Sequence, residues 1–96
     1  EYVRLTYAYI YGCRFEFGRE VNGRFRFHQV YAPEGRQFYL RLVRGDKDYY
    51  GLYSVDGITW VPIGTHDRIS ANYVGLVAFD GSVYAYFDYF HHRPLR

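Results

Sequence analysis

Methionine is absent from the 96-residue sequence, and cysteine, tryptophan and lysine occur once each, as Cys13, Trp60 and Lys47. A single cysteine cannot close an internal disulfide, so the fold relies on its core alone. No run approaches the roughly 18 apolar residues that a membrane-spanning helix needs, which excludes that class. No basic-then-apolar leader opens the chain, which starts at Glu1, and the expectation is a processed or excised piece of a longer protein. Charge of one sign is also scarce. Twelve basic residues stand against ten acidic ones, for a net charge of +2. So small an excess argues against bulk polyanion binding. Lys47 aside, these cations are arginines, whose planar fork suits specific polar recognition and stacking on rings.

What is abundant is aromatic. Thirteen tyrosines, eight phenylalanines and Trp60 make up 23% of the residues. A water-soluble chain buries some of these rings and displays others, and the tyrosine hydroxyl makes display tolerable. Ninety-six residues form one domain, spanning 1–96, near the lower end of the sizes at which a core suffices.

The pattern along the chain has a period of two. Val3, Leu5, Tyr7, Tyr9 and Tyr11 alternate with Tyr2, Arg4, Thr6, Ala8 and Ile10. Cys13, Phe15 and Phe17 alternate with Arg14, Glu16 and Gly18, and Phe25 and Phe27 with Arg24, Arg26 and His28. This is the half-buried strand pattern, in residue types that suit a pleated surface. Asn22-Gly23 is a strong two-residue hairpin signal, because both positions of a type I′ turn need positive φ. Pro33-Glu34-Gly35, Gly45-Asp46, Asp56-Gly57, Gly64-Thr65 and Asp80-Gly81 read as further turns. Strands are predicted over 2–10, 13–20, 24–31, 37–44, 49–55, 59–63, 73–79 and 82–91, with His66 to Asn72 as a loop. Many short strands with regular turns point to an all-β antiparallel sandwich or barrel, and the expected form is a β-sandwich of jelly-roll type.

Four stretches in the second half carry a resemblance. They are Tyr53-Ser54-Val55-Asp56-Gly57-Ile58-Thr59-Trp60, Ile63-Gly64, Val74-Gly75-Leu76-Val77-Ala78-Phe79, and Ala85-Tyr86-Phe87-Asp88-Tyr89-Phe90. In order and spacing they resemble the second half of the C-terminal, lectin-like β-sandwich of family-43 glycoside hydrolases, the β-xylosidases and α-arabinofuranosidases. The match covers 49–91; in 1–48 the strand order fits without a diagnostic motif. The family's sandwich is markedly longer, and half of one would leave edges and an apolar face to be covered, by default in an isologous homodimer. The resemblance implies a secreted, non-catalytic carbohydrate-binding or structural accessory module beside a catalytic glycoside hydrolase domain. It also implies a mainly structural Trp60. The ligand it implies is a plant cell-wall polysaccharide, such as xylan, xyloglucan or β-glucan. No cofactor is required by this reading. Asp88, on the closing strand, is a candidate for a structural calcium, with Glu1, Glu16 and Asp67 as further oxygen donors, although an ion pair with arginine is the plainer role.

Sugars present a flat apolar face and a rim of hydroxyls, so flat rings beside polar groups are the side chains to look for. Outward tyrosines on shared strand faces supply them: Tyr39 with Arg41, Tyr49 with Tyr53, and Tyr84 with Tyr86, with Arg26 as a further hydroxyl-fixing group. Any one tyrosine could equally be a cross-strand pair that stabilises the sheet; the size of the set favours a ring-lined surface. Phe15, Phe17, Phe25, Phe27, Phe38, Phe79 and Phe87 read as core, with Trp60. Cys13 reads as buried and inert. His91 and His92 would point to opposite strand faces and do not make a metal site. Glu16 and Glu20 are not marked as an acid/base pair, so no catalytic residue is assigned. The stretch Gly23 to His28 alternates arginines with rings, as single-strand nucleic-acid binders do. Within one strand, however, those rings and charges face apart, and nucleic acid is not the expected partner. Neither is a membrane.

Overall fold

The computed structural model describes residues 1–9, 12–33, 37–70 and Gly75. These residues form six strands: β1 (Tyr2–Tyr9), β2 (Cys13–Val21), β3 (Arg24–Tyr31), β4 (Tyr39–Arg44), β5 (Asp48–Ser54) and β6 (Val61–Asp67). Apart from Gly75, the predicted strands 73–79 and 82–91 lie outside the described residues. The protein is all-β. One antiparallel sheet has the order β1-β2-β3 and a second the order β4-β5-β6. Each is a meander of chain neighbours, and the exchange of strands between sheets that defines a jelly roll is not found among the described strands.

Local chemistry sets the first sheet. Asn22 and Gly23 both take positive φ, 54° and 76°, which closes the two-residue turn between β2 and β3. That turn fixes the register: Glu20 pairs with Phe25, Gly18 with Phe27, Glu16 with Gln29 and Arg14 with Tyr31. In the second sheet the β5–β6 turn is built around Asp56. Its carboxylate accepts from the N–H groups of Ile58 and Thr59 at 2.8 Å each and from the Ser54 hydroxyl at 2.9 Å. The bonds to Thr59 and Ile58, then that to Ser54, hold the Asp56 carboxyl below its ordinary range.

Two features of β6 depart from the expectation. Gly64-Thr65 is strand rather than turn, and β6 runs on through His66 and Asp67. The reason is pairing: Gly64 lies opposite Gly51, Thr65 opposite Tyr50 and His66 opposite Tyr49, with the register shift placed at Gly51/Leu52. A β-bulge lets a short strand re-aim its side chains. Here it coincides with the buried Ile63.

The sheets pack face to face around Phe15, Phe17, Tyr49, Ile63 and Ile69, with Val3, Leu5, Val21, Val30, Ala32, Phe38 and Tyr53 at the margin. Phe15 stacks on Tyr53 at 4.5 Å between centroids and meets Phe38 edge-on at 5.1 Å. Phe17 lies directly on Gly51 of the opposite sheet. Two histidines also join the sheets. His66 Nε2 donates to the Phe17 carbonyl at 2.8 Å and His28 Nε2 to the Thr65 carbonyl at 2.9 Å, since a carbonyl can only accept. Their rings are 4.9 Å apart, and Arg19 Nε donates to the Asp67 carbonyl nearby.

Burial, before any other cause, pushes the His66 imidazole below its ordinary 6.5. The Phe17 carbonyl and the Asp67 charge act against the shift, while His28 and Arg19 add to it. A histidine whose folded pKa is lowered binds protons more readily when unfolded. Its contribution to stability is therefore full above about pH 6.5 and is lost as pH falls toward its folded value. The thermal midpoint should fall between pH 7.5 and pH 5, and less steeply in His66→Gln; an equal slope in both would show that other groups set the acid response.

Candidate functional site

The rings and charges converge on the outer face of the first sheet. Alternation places Tyr2, Arg4, Thr6 and Ala8 of β1, Arg14, Glu16, Gly18 and Glu20 of β2, and Phe25, Phe27, Gln29 and Tyr31 of β3 on that side. Phe25 and Phe27, expected in the core, are exposed there instead. β3 carries Arg24, Arg26 and His28 on the side it shares with Phe17, and that part of its inner side is itself exposed. The strand therefore sends its phenylalanines outward.

Gly18 explains how one ring is held. A side chain there would collide with the tip of the Phe25 ring, which lies across this glycine on the middle strand. Phe27 stacks beside Phe25, 5.6 Å apart and tilted by 28°, and is 52% exposed. The Arg4 guanidinium sits 4.8 Å from the Phe25 centroid.

From Arg4 a polar chain runs across the face. Arg4 Nη2 donates to Glu16 Oε1 at 3.1 Å, Gln29 Nε2 donates to Glu16 Oε2 at 2.8 Å, and Arg14 Nη1 donates to Gln29 Oε1 at 2.8 Å. Arg14 Nη2 reaches the Tyr31 hydroxyl at 3.1 Å, with its guanidinium 4.7 Å from the Tyr31 centroid. Glu16 is only 6% exposed although it faces outward, because these side chains cover it. Tyr31, at the end of the chain of bonds, is 71% exposed. The result is an open sheet face with rings at intervals and polar groups whose directions are fixed by one another. Rigid polar groups lose less entropy on binding than free ones.

The residues singled out from the sequence divide. Tyr39 and Arg41 come together on the outer face of the second sheet, where the Arg41 guanidinium lies 3.8 Å from the Trp60 centroid and Tyr39 meets Trp60 edge-on at 6.5 Å. Trp60 is half-buried in this cluster and is not part of the central core. Tyr49, expected outward, is 5% exposed and donates its hydroxyl to the Ile69 carbonyl. Tyr53 stacks on Phe15 at the core margin. Both belong to the inner face because Gly51, between them, is where Phe17 enters. Arg26 is exposed but lies on the opposite side of β3 from Phe27 and Tyr31. Tyr84, Tyr86 and Asp88, with His91 and His92, lie outside the described residues.

Cys13 is half-buried, and a hydrogen bond with it raises the Tyr7 phenol above its ordinary value. Among the described residues no three His, Cys, Asp or Glu side chains are grouped to hold a metal ion. Glu16 is engaged by Arg4 and Gln29, and Glu20 by the Gly23 N–H and the amino terminus. Sequence reasoning did not assign Arg4, Arg14, Gln29, Phe27 or Tyr31 to a site. Part of the signal was present: counting outward from Asn22-Gly23 gives the cross-strand register of Arg14, Gln29, Phe27 and Tyr31, while the place of Arg4 depends on the pairing of β1 with β2.

No protein-family model matches the chain, and no curated protein or solved structure matches it either.

Proposed function

We propose that the chain is a non-catalytic carbohydrate-binding module for β-glycans of the plant cell wall, with the outer face of β1-β2-β3 as its binding surface. The observation that carries the reading is the placement of Phe27 and Tyr31, both exposed, on one sheet face beside the fixed Arg4–Glu16–Gln29 chain. Sugar rings would stack their C–H faces on Phe27 and Tyr31, while the Arg4 guanidinium meets hydroxyls. Such a surface is open, so affinity would be modest. In the parent protein the module would hold a catalytic glycoside hydrolase domain against its polymer. Tyr39 and Arg41, on the other side of the sandwich, would not share this surface.

The test is affinity electrophoresis of the full chain on soluble xylan, xyloglucan and β-glucan. Retardation is expected on at least one. Phe27→Ala and Tyr31→Ala should each weaken it about tenfold, the scale at which truncating an aromatic anchor acts, with the thermal midpoint within a few degrees of the parent. A chain that runs unretarded on all three polymers overturns the reading and leaves a structural accessory domain. A specific observation keeps nucleic acid as the competing ligand: Arg4 and Arg14, from neighbouring strands, do share the ring face. Oligonucleotide binding that collapses as salt rises would favour that ligand.

A further inference from the structure

At the Tyr31 end of the ring face lies a concavity of about 100 Å³ lined by Arg14, Gln29, Val30 and Tyr31. It is too small for a sugar ring and large enough for a carboxyl group. Its charge is unusual for this face. Arg4 is neutralised by Glu16 at 3.1 Å, but the partners of Arg14 are uncharged: the Gln29 amide oxygen, the Tyr31 hydroxyl and the Tyr31 ring. Among the described residues no carboxylate lies within ion-pair distance of Arg14. Arg14 Nε is buried and makes no hydrogen bond. A guanidinium in such a place has lost part of its water without gaining a counter-charge, which is costly unless an anion arrives.

The geometry points to Arg14 as the receptor for a carboxylate carried by the glycan, so that the preferred ligand is a β-glycan bearing uronic acid. This rests on the glycan-binding reading of the same face. A carboxylate matches the planar guanidinium fork, and its pairing is stronger than that of a neutral oxygen. Glu16 does not repel it, because Arg4 and Gln29 already hold that charge. Gln29 acts as the spacer between the two ions. Its amide N–H₂ is committed to Glu16, so its oxygen must face Arg14, which fixes the guanidinium toward Tyr31. The sugar ring bearing the acid would then lie on the exposed Tyr31.

The experiment compares glucuronoxylan with the same polymer after reduction of its carboxyl groups to alcohols, by affinity electrophoresis and calorimetry of the full chain. The acidic polymer should bind about tenfold more tightly, as expected for one added charge-assisted contact. Arg14→Gln should bring the ratio of the two affinities to about one. Arg14→Lys, which keeps the charge and loses the fork, should leave an intermediate ratio. The parent chain alone decides the case if Arg14→Gln proves unstable: equal affinities for the two polymers overturn the carboxylate site and leave the glycan reading standing. No binding to either polymer overturns the carboxylate site, and the glycan reading falls with it when xyloglucan and β-glucan also leave the chain unretarded. A preference that survives in Arg14→Gln overturns the assignment to Arg14. So does equally tight binding to a sulfated polysaccharide with a steep loss in salt, because net charge would then explain it.

Discussion

Phe17→Ala is expected to remove about 3–5 kcal/mol of folding stability, the range for deleting a buried aromatic ring. A domain of this kind has only about 5–15 kcal/mol in total, so the variant should be close to unfolding at ambient temperature. Phe17 has no exposed surface. Its ring lies on Gly51 on the far side of the sandwich and meets the His66 ring edge-on at 4.7 Å. Its carbonyl accepts the bond that ties His66 to the first sheet. Little can collapse into the space it leaves. A glycine has no side chain to extend, and the histidine is held at its ring nitrogen. Urea unfolding followed by tyrosine and tryptophan fluorescence would measure the loss. A change under 1 kcal/mol would show that the sheets do not meet as described.

The partner of that contact should be sensitive as well, though less so. Gly51→Ala is expected to cost about 1–3 kcal/mol through overpacking. A methyl group there would stand 2.8–3.2 Å from three atoms of the Phe17 ring, nearer than a Cβ is found to an aromatic carbon. The ring cannot swing away, because it is enclosed on its other sides. The two costs should not add. In a cycle of Gly51→Ala, Phe17→Leu and the double variant, the smaller leucine should absorb part of the new methyl, giving a favourable coupling of about 1 kcal/mol. Additive behaviour would place residue 51 away from residue 17.

These two residues also show what was legible in the sequence. The alternation of Phe15 and Phe17 with Arg14 and Glu16 identified a strand and its buried face correctly. The same reasoning failed at Phe25 and Phe27. Alternation says which residues of a strand share a side, but not which side meets the other sheet. In β3 the apolar residues change parity, from Phe25 and Phe27 on one side to Val30 on the other, and only the pairing with β2 shows which faces Phe17. Tyr49 and Tyr53 were misplaced for a related reason. A tyrosine satisfies both a core and a surface, and what settles its side is the small residue between them, Gly51, opposite a large ring. The strand at His66 and Asp67 was missed because Gly64-Thr65 has turn composition, while its pairing to β5 is long-range information.

The candidate site was legible in pieces. Arg4, Glu16 and Gln29 belong to three different strands, and no local motif joins them. Their meeting depends on two registers, one of which the Asn22-Gly23 turn encodes directly. Tyr39 and Arg41 were correctly paired on one face, because they are two residues apart on one strand. That they also meet Trp60 depends on the path of the Asp56 turn.

The two meanders bear on how the protein comes to be folded. Among the described strands each hydrogen-bonded pairing joins neighbours in the chain, so loop closure is cheap at every step. Each sheet can zip from its own short connections, Asn22-Gly23 in the first and the Asp56 turn in the second. The contacts that remain are those between sheets, where Phe17 must find Gly51 and His66 must find the Phe17 carbonyl. Those contacts span the largest sequence separations in the core, and closing them carries the larger loop-closure cost. The surface proposed for recognition lies within the first sheet alone, so its assembly needs only pairings between chain neighbours.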